Sequence, residues 1–159
     1  MASAAVRGHS GDVDQDDDDD RGSTDLEELT REECLALLAV YSVGRIAVIG
    51  DDNMPFVVPV NYRLSADTVV FRTDAGTKLD ALLRHPVAFQ IDAIDPIERS
   101  GWSVLVRGIA HEVTPQELES VHVEPWLGPK AHLIQVVPRS ISGRRLRLPS
   151  AEYDPGGYL

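Results

Sequence analysis

The residues best suited to bind a ligand lie at positions 72–79, which read R-T-D-A-G-T-K-L. This order is typical of a strand end, a glycine turn and a helix start. A lysine in the first helical turn faces the positive end of the helix dipole, which disfavours it by a few tenths of a kcal/mol up to about 1 kcal/mol. A phosphate at this position would offset that penalty, because the amides of residues 76–78, the Thr77 hydroxyl and the Lys78 ammonium could all donate to it.

The same segment allows a second interpretation of Lys78. Its ammonium can be solvated, or it can pair with Asp74 four residues earlier, and the segment alone favours neither interpretation. Arg72 and Thr73 precede the turn on a predicted strand and could add hydrogen-bond donors. Arg72 could equally face solvent, as alternate residues of a half-buried strand do.

Two further groups of residues could contact a ligand. The segment G-R-R-L-R near the C-terminus carries three arginines, and strand alternation places Arg145 and Arg147 on one face and Arg144 on the other. They could bind a phosphate or a polyanion, but arginine on a terminal strand also protects an edge against unwanted pairing. Trp102 and Trp126 could cover a planar ligand or pack into the core.

Signatures of several enzyme classes are missing from the sequence. It contains no G-x-S-x-G elbow, no H-E-x-x-H, no Walker loop and no G-x-G-x-x-G. The five histidines, at positions 9, 85, 111, 122 and 132, fall in no metal-ligand spacing. We therefore expect neither a metal site nor nucleophilic catalysis.

Charge and composition describe a chain of 159 residues with a net charge of −11. Residues 1–30 hold ten acids and two arginines, so the remaining sixteen acids and thirteen bases leave the rest near neutral. A near-neutral domain argues against binding to nucleic acid or to an anionic membrane, both of which need a dense cationic face.

Cys34 is the single cysteine, so it can form no disulfide within the chain, which suits a reducing cytoplasm. Its side chain is expected to fill the core. No stretch approaches the roughly 20 apolar residues that span a bilayer.

Hydrophobic periodicity predicts short helices between antiparallel strands. Order is expected to begin at Thr30, where a capping box with Glu33 starts a helix, and a second capping box at residues 114–117 starts another. Residues 74–85 carry leucines at helical spacing and end before Pro86. Strand-like alternation covers residues 45–50, 56–64, 68–73, 87–94, 102–113 and 132–148.

This order of elements predicts an α+β domain, mainly β, built on a small antiparallel barrel. Pro59 should make its strand an edge or a bulged strand, and Gly108 suggests a bulge. We expect a disordered acidic tail at 1–26, the barrel domain at 27–149 and a flexible tail at 150–159. A barrel of this size fills its own interior, so a ligand should lie outside it or at a subunit interface.

Together these segments resemble the pyridoxamine 5′-phosphate oxidase-like family of flavin-binding split barrels. The similarity runs in order over about residues 28–148 and consists of V-G-R-I-A-V at 43–48, P-F-V-V-P-V-N-Y at 55–62, F-R-T-D-A-G-T-K-L at 71–79, W-S-V-L-V-R-G at 102–108, and P-W-L-G-P followed by I-S-G-R-R-L. The resemblance implies a six-stranded antiparallel split β-barrel with short flanking helices. It also implies a homodimer, with two cofactor sites at the interface that both chains line.

The resemblance further implies which residues contact the cofactor. The isoalloxazine ring would lie along the main chain of four consecutive residues, namely Val58, Pro59, Val60 and Asn61. The ribityl phosphate would be held by a second set, namely Arg72, Thr73, Thr77 and Lys78. Two residues would approach from the partner subunit, Trp102 and Ser103. This assignment favours the phosphate interpretation of Lys78.

The sequence departs from true pyridoxamine phosphate oxidases near its C-terminus. Those enzymes grip the vitamin's phosphate with an Arg-x-His segment, whereas the corresponding end here reads G-R-R-L. The chain is more similar to the broad group that uses FMN or the deazaflavin F420 for diverse reductions. F420 carries an oligoglutamate tail that favours an extended basic groove, so a near-neutral domain favours FMN.

These observations predict an FMN-dependent oxidoreductase that transfers a hydride to or from a small planar substrate. An F420-dependent reductase is one alternative, and a non-catalytic flavin or haem carrier is another. A structural dimer with an empty site is a third.

Overall fold

The computed structural model describes residues 25–114, 116–117, 123 and 129–147. The predicted helix after Thr114, the loop with Trp126 and most of both predicted tails lie outside these residues. The elements in chain order are β1 (Asp25–Leu29), α1 (Arg31–Val40), β2 (Val43–Ile49), β3 (Pro55–Ser65), β4 (Thr68–Thr73), α2 (Thr77–Arg84), β5 (Pro86–Asp95), β6 (Ser100–Val113) and β7 (His132–Arg147).

Six antiparallel strands close into a barrel in the order β7-β4-β3-β2-β5-β6, and β6 pairs back with β7. The split-barrel fold and its two short helices are therefore confirmed. Alternation along β5 places Val87, Phe89 and Ile91 in the interior, as the sequence predicts. Interior side chains fill the barrel so closely that a Cβ on Gly44 would come within 2.2 Å of the Phe89 ring. A single apolar core cluster occupies this interior.

Helix α1 packs on the barrel through a buried tyrosine. The Tyr62 hydroxyl donates to the Leu38 carbonyl at 2.8 Å, and its ring packs edge-on against Phe89 at a centroid distance of 4.7 Å. Burial raises the pKa of the Tyr62 phenol. At the other end of the helix, the predicted capping box is confirmed, because the Thr30 amide donates to Glu33 at 2.8 Å and the Glu33 amide donates to the Thr30 hydroxyl.

The expectation that order begins at Thr30 is wrong, because β1 precedes it and pairs with the end of β7. The acidic residues of β1 lie opposite the arginines of β7, and Arg145 pairs with Glu27 at 3.4 Å and with Glu33 at 3.6 Å. In the sequence these acids resemble a continuation of the acidic tail. Their pairing in β1 was not predicted, because Arg145 lies 118 residues after Glu27 in the chain.

Two sequence signals for irregular strands are confirmed. The pairing of β6 with β7 shifts register between Arg107 and Gly108. A Cβ at Gly108 would lie 2.2 Å from the Val137 carbonyl oxygen, so this bulge leaves room only for glycine. Pro59 lies in residues 55–61 of β3. Among the described residues, this half of the strand pairs only with β2, so its other side is an unpaired edge.

Candidate functional site

The barrel opens where β3 and β4 stop pairing with each other. Their ladder runs from the Ser65–Thr68 pair to the Tyr62–Phe71 pair and ends there. Beyond it, residues 55–61 of β3 stay bonded to β2. Arg72 and Thr73 of β4 stay bonded to β7, and residues 74–76 lead from β4 to the start of α2. We call this opening the split. It is flanked by all of the predicted site residues except Trp102 and Ser103.

The edge of β3 along the split presents main-chain groups of alternate residues. The Tyr62 amide donates to the Ser42 carbonyl at 2.9 Å, which fixes the residues whose main chain faces β2. Antiparallel alternation then directs the main-chain groups of Val58 and Val60 to β2. The groups of Val57 and the carbonyl of Pro59 point into the split. Proline has no amide hydrogen, so acceptors outnumber donors on this part of the edge.

Three cations lie at the other side of the split, and we call Arg72, Lys78 and Lys130 the cation cluster. The Lys130 ammonium pairs with the Asp74 carboxylate at 2.6 Å, and Arg72 donates to the Lys130 carbonyl at 3.3 Å. Asp74 therefore pairs with Lys130 and not with Lys78. Within the part of the chain that the structure describes, Lys78 has no ion pair, although its side chain is half-buried.

The electrostatics of the cluster favour an anion. Burial lowers the pKa of the Lys78 ammonium, the nearby charge of Lys130 lowers it further, and Asp74 acts in the opposite direction. The net effect disfavours the charged form of Lys78. An anion bound beside it would remove that disadvantage, because an opposite charge restores the stability of the ammonium. Three cations facing one carboxylate match a dianion such as a phosphate monoester.

The helix start adds donors of a different kind. Gly76 caps α2 with φ of 124°, a conformation that favours glycine, and no side chain caps the helix. Thr77 is exposed in the first turn. Thr73 is fully buried instead, and its hydroxyl donates to the Asp74 carbonyl at 3.4 Å. Thr73 therefore exposes no group to the split, and its main chain pairs with His132 of β7.

Trp102 and Ser103 lie away from the split of their own chain. Strand β6 is the third strand from β3 in either direction around the barrel, so two strands separate these residues from β3 on each side. The Trp102 ring packs edge-on against Tyr41 at a centroid distance of 4.8 Å, while Ser103 lies opposite Arg144 of β7. Within one chain the structure does not bring these two residues to the predicted cofactor site.

Sequence reasoning missed Lys130 in the cation cluster. Its signal is weak, since it is a single lysine after the dipeptide Gly-Pro, two residues before β7. The pairing of Thr73 with His132 brings the start of β7 beside the end of β4, and this contact joins residues far apart in sequence. Next to it, His132 Nδ1 lies 2.6 Å from a Glu112 carboxylate oxygen. Among the described residues, no group of three His, Cys, Asp or Glu side chains is arranged to hold a metal ion.

Comparison with known proteins identifies several relatives. A solved FAD-binding protein from Mycobacterium smegmatis is 38% identical, with a TM-score of 0.65 over 76% of this chain and 98% of its own. An FAD-binding protein from Mesorhizobium loti is 25% identical, with a TM-score of 0.64 over 76% of this chain and 97% of its own. The uncharacterized protein Rv0080 of Mycobacterium tuberculosis is 29% identical over 79% of this chain and 89% of its own length.

The described residues contain no helix that is long and apolar enough to cross a membrane. Residues 30–145 match the profile of the pyridoxamine 5′-phosphate oxidase family. This range covers both helices and the six barrel strands up to the last two residues of β7, including the split and the cation cluster. The chain therefore belongs to the pyridoxamine 5′-phosphate oxidase family, which confirms the resemblance inferred from its sequence motifs.

Proposed function

We propose that this protein binds a flavin nucleotide in the split, with the ribityl phosphate on the cation cluster. The observation that carries the proposal is Lys78, a half-buried ammonium that has no ion pair among the described residues and lies beside a second lysine. The edge of β3 offers carbonyl and amide groups to the polar rim of a planar ring. These residues suit a ligand that joins such a ring to a dianion.

The choice among flavins follows from the same groups. FMN carries one phosphate monoester, which matches the excess of positive charge in the cluster, and the FMN half of FAD offers the same ring and ribityl chain. The two solved relatives described above are FAD-binding proteins, which supports a flavin and leaves both nucleotides as candidates. F420 is the weaker candidate, because its oligoglutamate tail needs an extended basic groove.

The proposed cofactor site includes a second copy of the chain. Apolar side chains are exposed on the outer faces of three barrel strands: Val43 is 40% exposed, Val57 60% and Leu105 37%. A homodimer would cover this surface. It would also let the Trp102–Ser103 segment of one protomer meet the split of its partner, which the barrel geometry prevents within one chain.

With a bound flavin, the protein would act as an oxidoreductase on a small planar substrate. The cofactor supplies hydride chemistry at its N5 atom, so few catalytic side chains are needed. The residues of this chain would bind the phosphate, hold the ring along β3 and exclude water through the partner subunit. The split suits these two roles, because it presents main-chain groups for the ring on one side and cations for the phosphate on the other.

Reconstitution of the purified protein with FMN, FAD, F420 or haem tests the proposal. A flavin at 100 times its Kd should raise the free energy of unfolding by about 2.7 kcal/mol, measured as a shift in Tm. Absence of any shift with FMN and FAD would remove the proposed function. A flavin that binds but exchanges electrons with no nicotinamide donor would leave a carrier rather than an oxidoreductase.

A further inference from the structure

A cavity of about 390 Å³ lies on the outer face of β5, β6 and β7, beside β1. We call it the outer cavity. Its floor holds the small residues Gly101 and Ser103, and its walls include Leu26, Ile94 and Leu146. Its volume lies in the range of about 300–1,000 Å³ that small-molecule sites occupy.

The strand registers explain why these residues meet. Gly101 lies opposite Ile94 on one side and opposite Leu146 on the other, and Leu146 in turn lies opposite Leu26 of β1. Because paired residues point to the same face of a sheet, this row forms an apolar surface with a depression at Gly101, which has no side chain. The neighbouring row carries the polar groups, with Ser103 between Asp92 and Arg144.

The charges of the outer cavity favour an anion. The Asp92 carboxylate is already paired with Arg45 at 2.6 Å. Arg144 lies opposite Glu28 of β1, but no ion pair joins it to any residue within the described ranges. A guanidinium with apolar walls beside it suits a ligand that combines a phosphate with a planar ring.

We propose that the outer cavity binds the adenosine monophosphate half of FAD, with the phosphate on Arg144 and the adenine against the apolar walls. This inference rests on the proposed flavin site. Within one chain, β2 and β5 lie between the split and the outer cavity on β6. In the proposed homodimer, the Ser103 floor of one protomer adjoins the split of its partner. One FAD molecule would therefore join the two subunits, and the protein should prefer FAD to FMN.

Titration of the purified protein with FAD and with FMN tests this assignment. We expect Arg144→Gln to raise the Kd for FAD roughly 10- to 100-fold, the usual effect of losing a charge-assisted contact, and to change the Kd for FMN by less than about twofold. Ile94→Glu should also weaken FAD selectively, because it places a carboxylate in the wall of the cavity. Ile94 is 73% exposed, so the variant should fold. Arg107→Gln is the matched control, since Arg107 is an exposed arginine on the same face of β6 outside the cavity.

Each outcome separates the two proposals. Loss of FAD affinity alone supports the outer cavity as the adenylate site. Equal loss of FAD and FMN would place Arg144 at the FMN half and overturn the inference, as would unchanged affinity for both. If the wild type binds neither flavin, the proposed function fails, and titration with AMP then decides the cavity on its own: binding that Arg144→Gln abolishes supports it, and absence of binding overturns it.

Discussion

Replacement of Lys78 by methionine tests the cation cluster most directly. Methionine keeps the length of the side chain and removes the charge. The lost contact is a charge-assisted hydrogen bond to a phosphate, which contributes about 1.5–3 kcal/mol. At 1.4 kcal/mol for each factor of ten, Lys78→Met should raise the Kd for FMN roughly 10- to 100-fold.

Riboflavin separates the phosphate contribution from the ring contribution. It carries the same isoalloxazine and ribityl groups without the phosphate, so its Kd should be the same in Lys78→Met and in the wild type. Fluorescence quenching of the two flavins gives both constants under one set of conditions. Arg84→Met is the matched control, because Arg84 lies at the opposite end of α2 and pairs with Asp51. Its effect on either flavin should be less than about twofold.

The stability of the ligand-free variant should change in the opposite direction. Burial and Lys130 lower the pKa of Lys78, so the folded state disfavours the ammonium that the unfolded chain carries freely. Removing it should raise the free energy of unfolding by a few tenths of a kcal/mol up to about 1 kcal/mol. Equal loss of FMN and riboflavin binding, or an FMN affinity that stays within twofold of the wild type, would refute a phosphate at Lys78.

Three further predictions concern pH and stability. The affinity for the flavin phosphate should fall as pH rises through the lowered pKa of Lys78, and titrations across alkaline pH measure this. Over the same range the free energy of unfolding of the ligand-free protein should rise, because the unfolded chain binds more protons than the folded one, and melts across alkaline pH measure this. Thr30→Ala should lower the free energy of unfolding by about 1 kcal/mol through loss of its bond to the Glu33 amide, whereas Thr30→Ser should retain most of it; urea midpoints measure the difference. Gly108→Ala should lower Tm far more than Thr30→Ala, because its Cβ would lie 2.2 Å from the Val137 carbonyl oxygen, and a melt within error of the wild type would contradict the bulge geometry.

Local sequence patterns predicted the elements that depend on local contacts. The capping box of α1, the leucine spacing of α2 and the alternation of β5 are each set by residues a few positions apart. These elements predicted a small antiparallel barrel and the position of Lys78 at a helix start. The split form of the barrel was implied by the resemblance to the family.

Features that depend on distant pairings escaped prediction. Strand β1 forms because its acids meet arginines at the far end of the chain, and Lys130 joins the cation cluster because β7 begins beside the end of β4. The contact of the Trp102 ring with Tyr41 likewise joins residues far apart in sequence and was not predicted.

Pro59 has a consequence for how this protein meets other molecules. An uncovered strand invites a strand from another chain to add to it, and such addition leads to fibrils and precipitates. That addition needs a regular alternation of donors and acceptors, and the imino acid interrupts it at the centre of the exposed stretch. A small heterocycle has no such requirement, since it can use an isolated carbonyl. The proline thus keeps this border of the sheet available to a small molecule while discouraging aggregation.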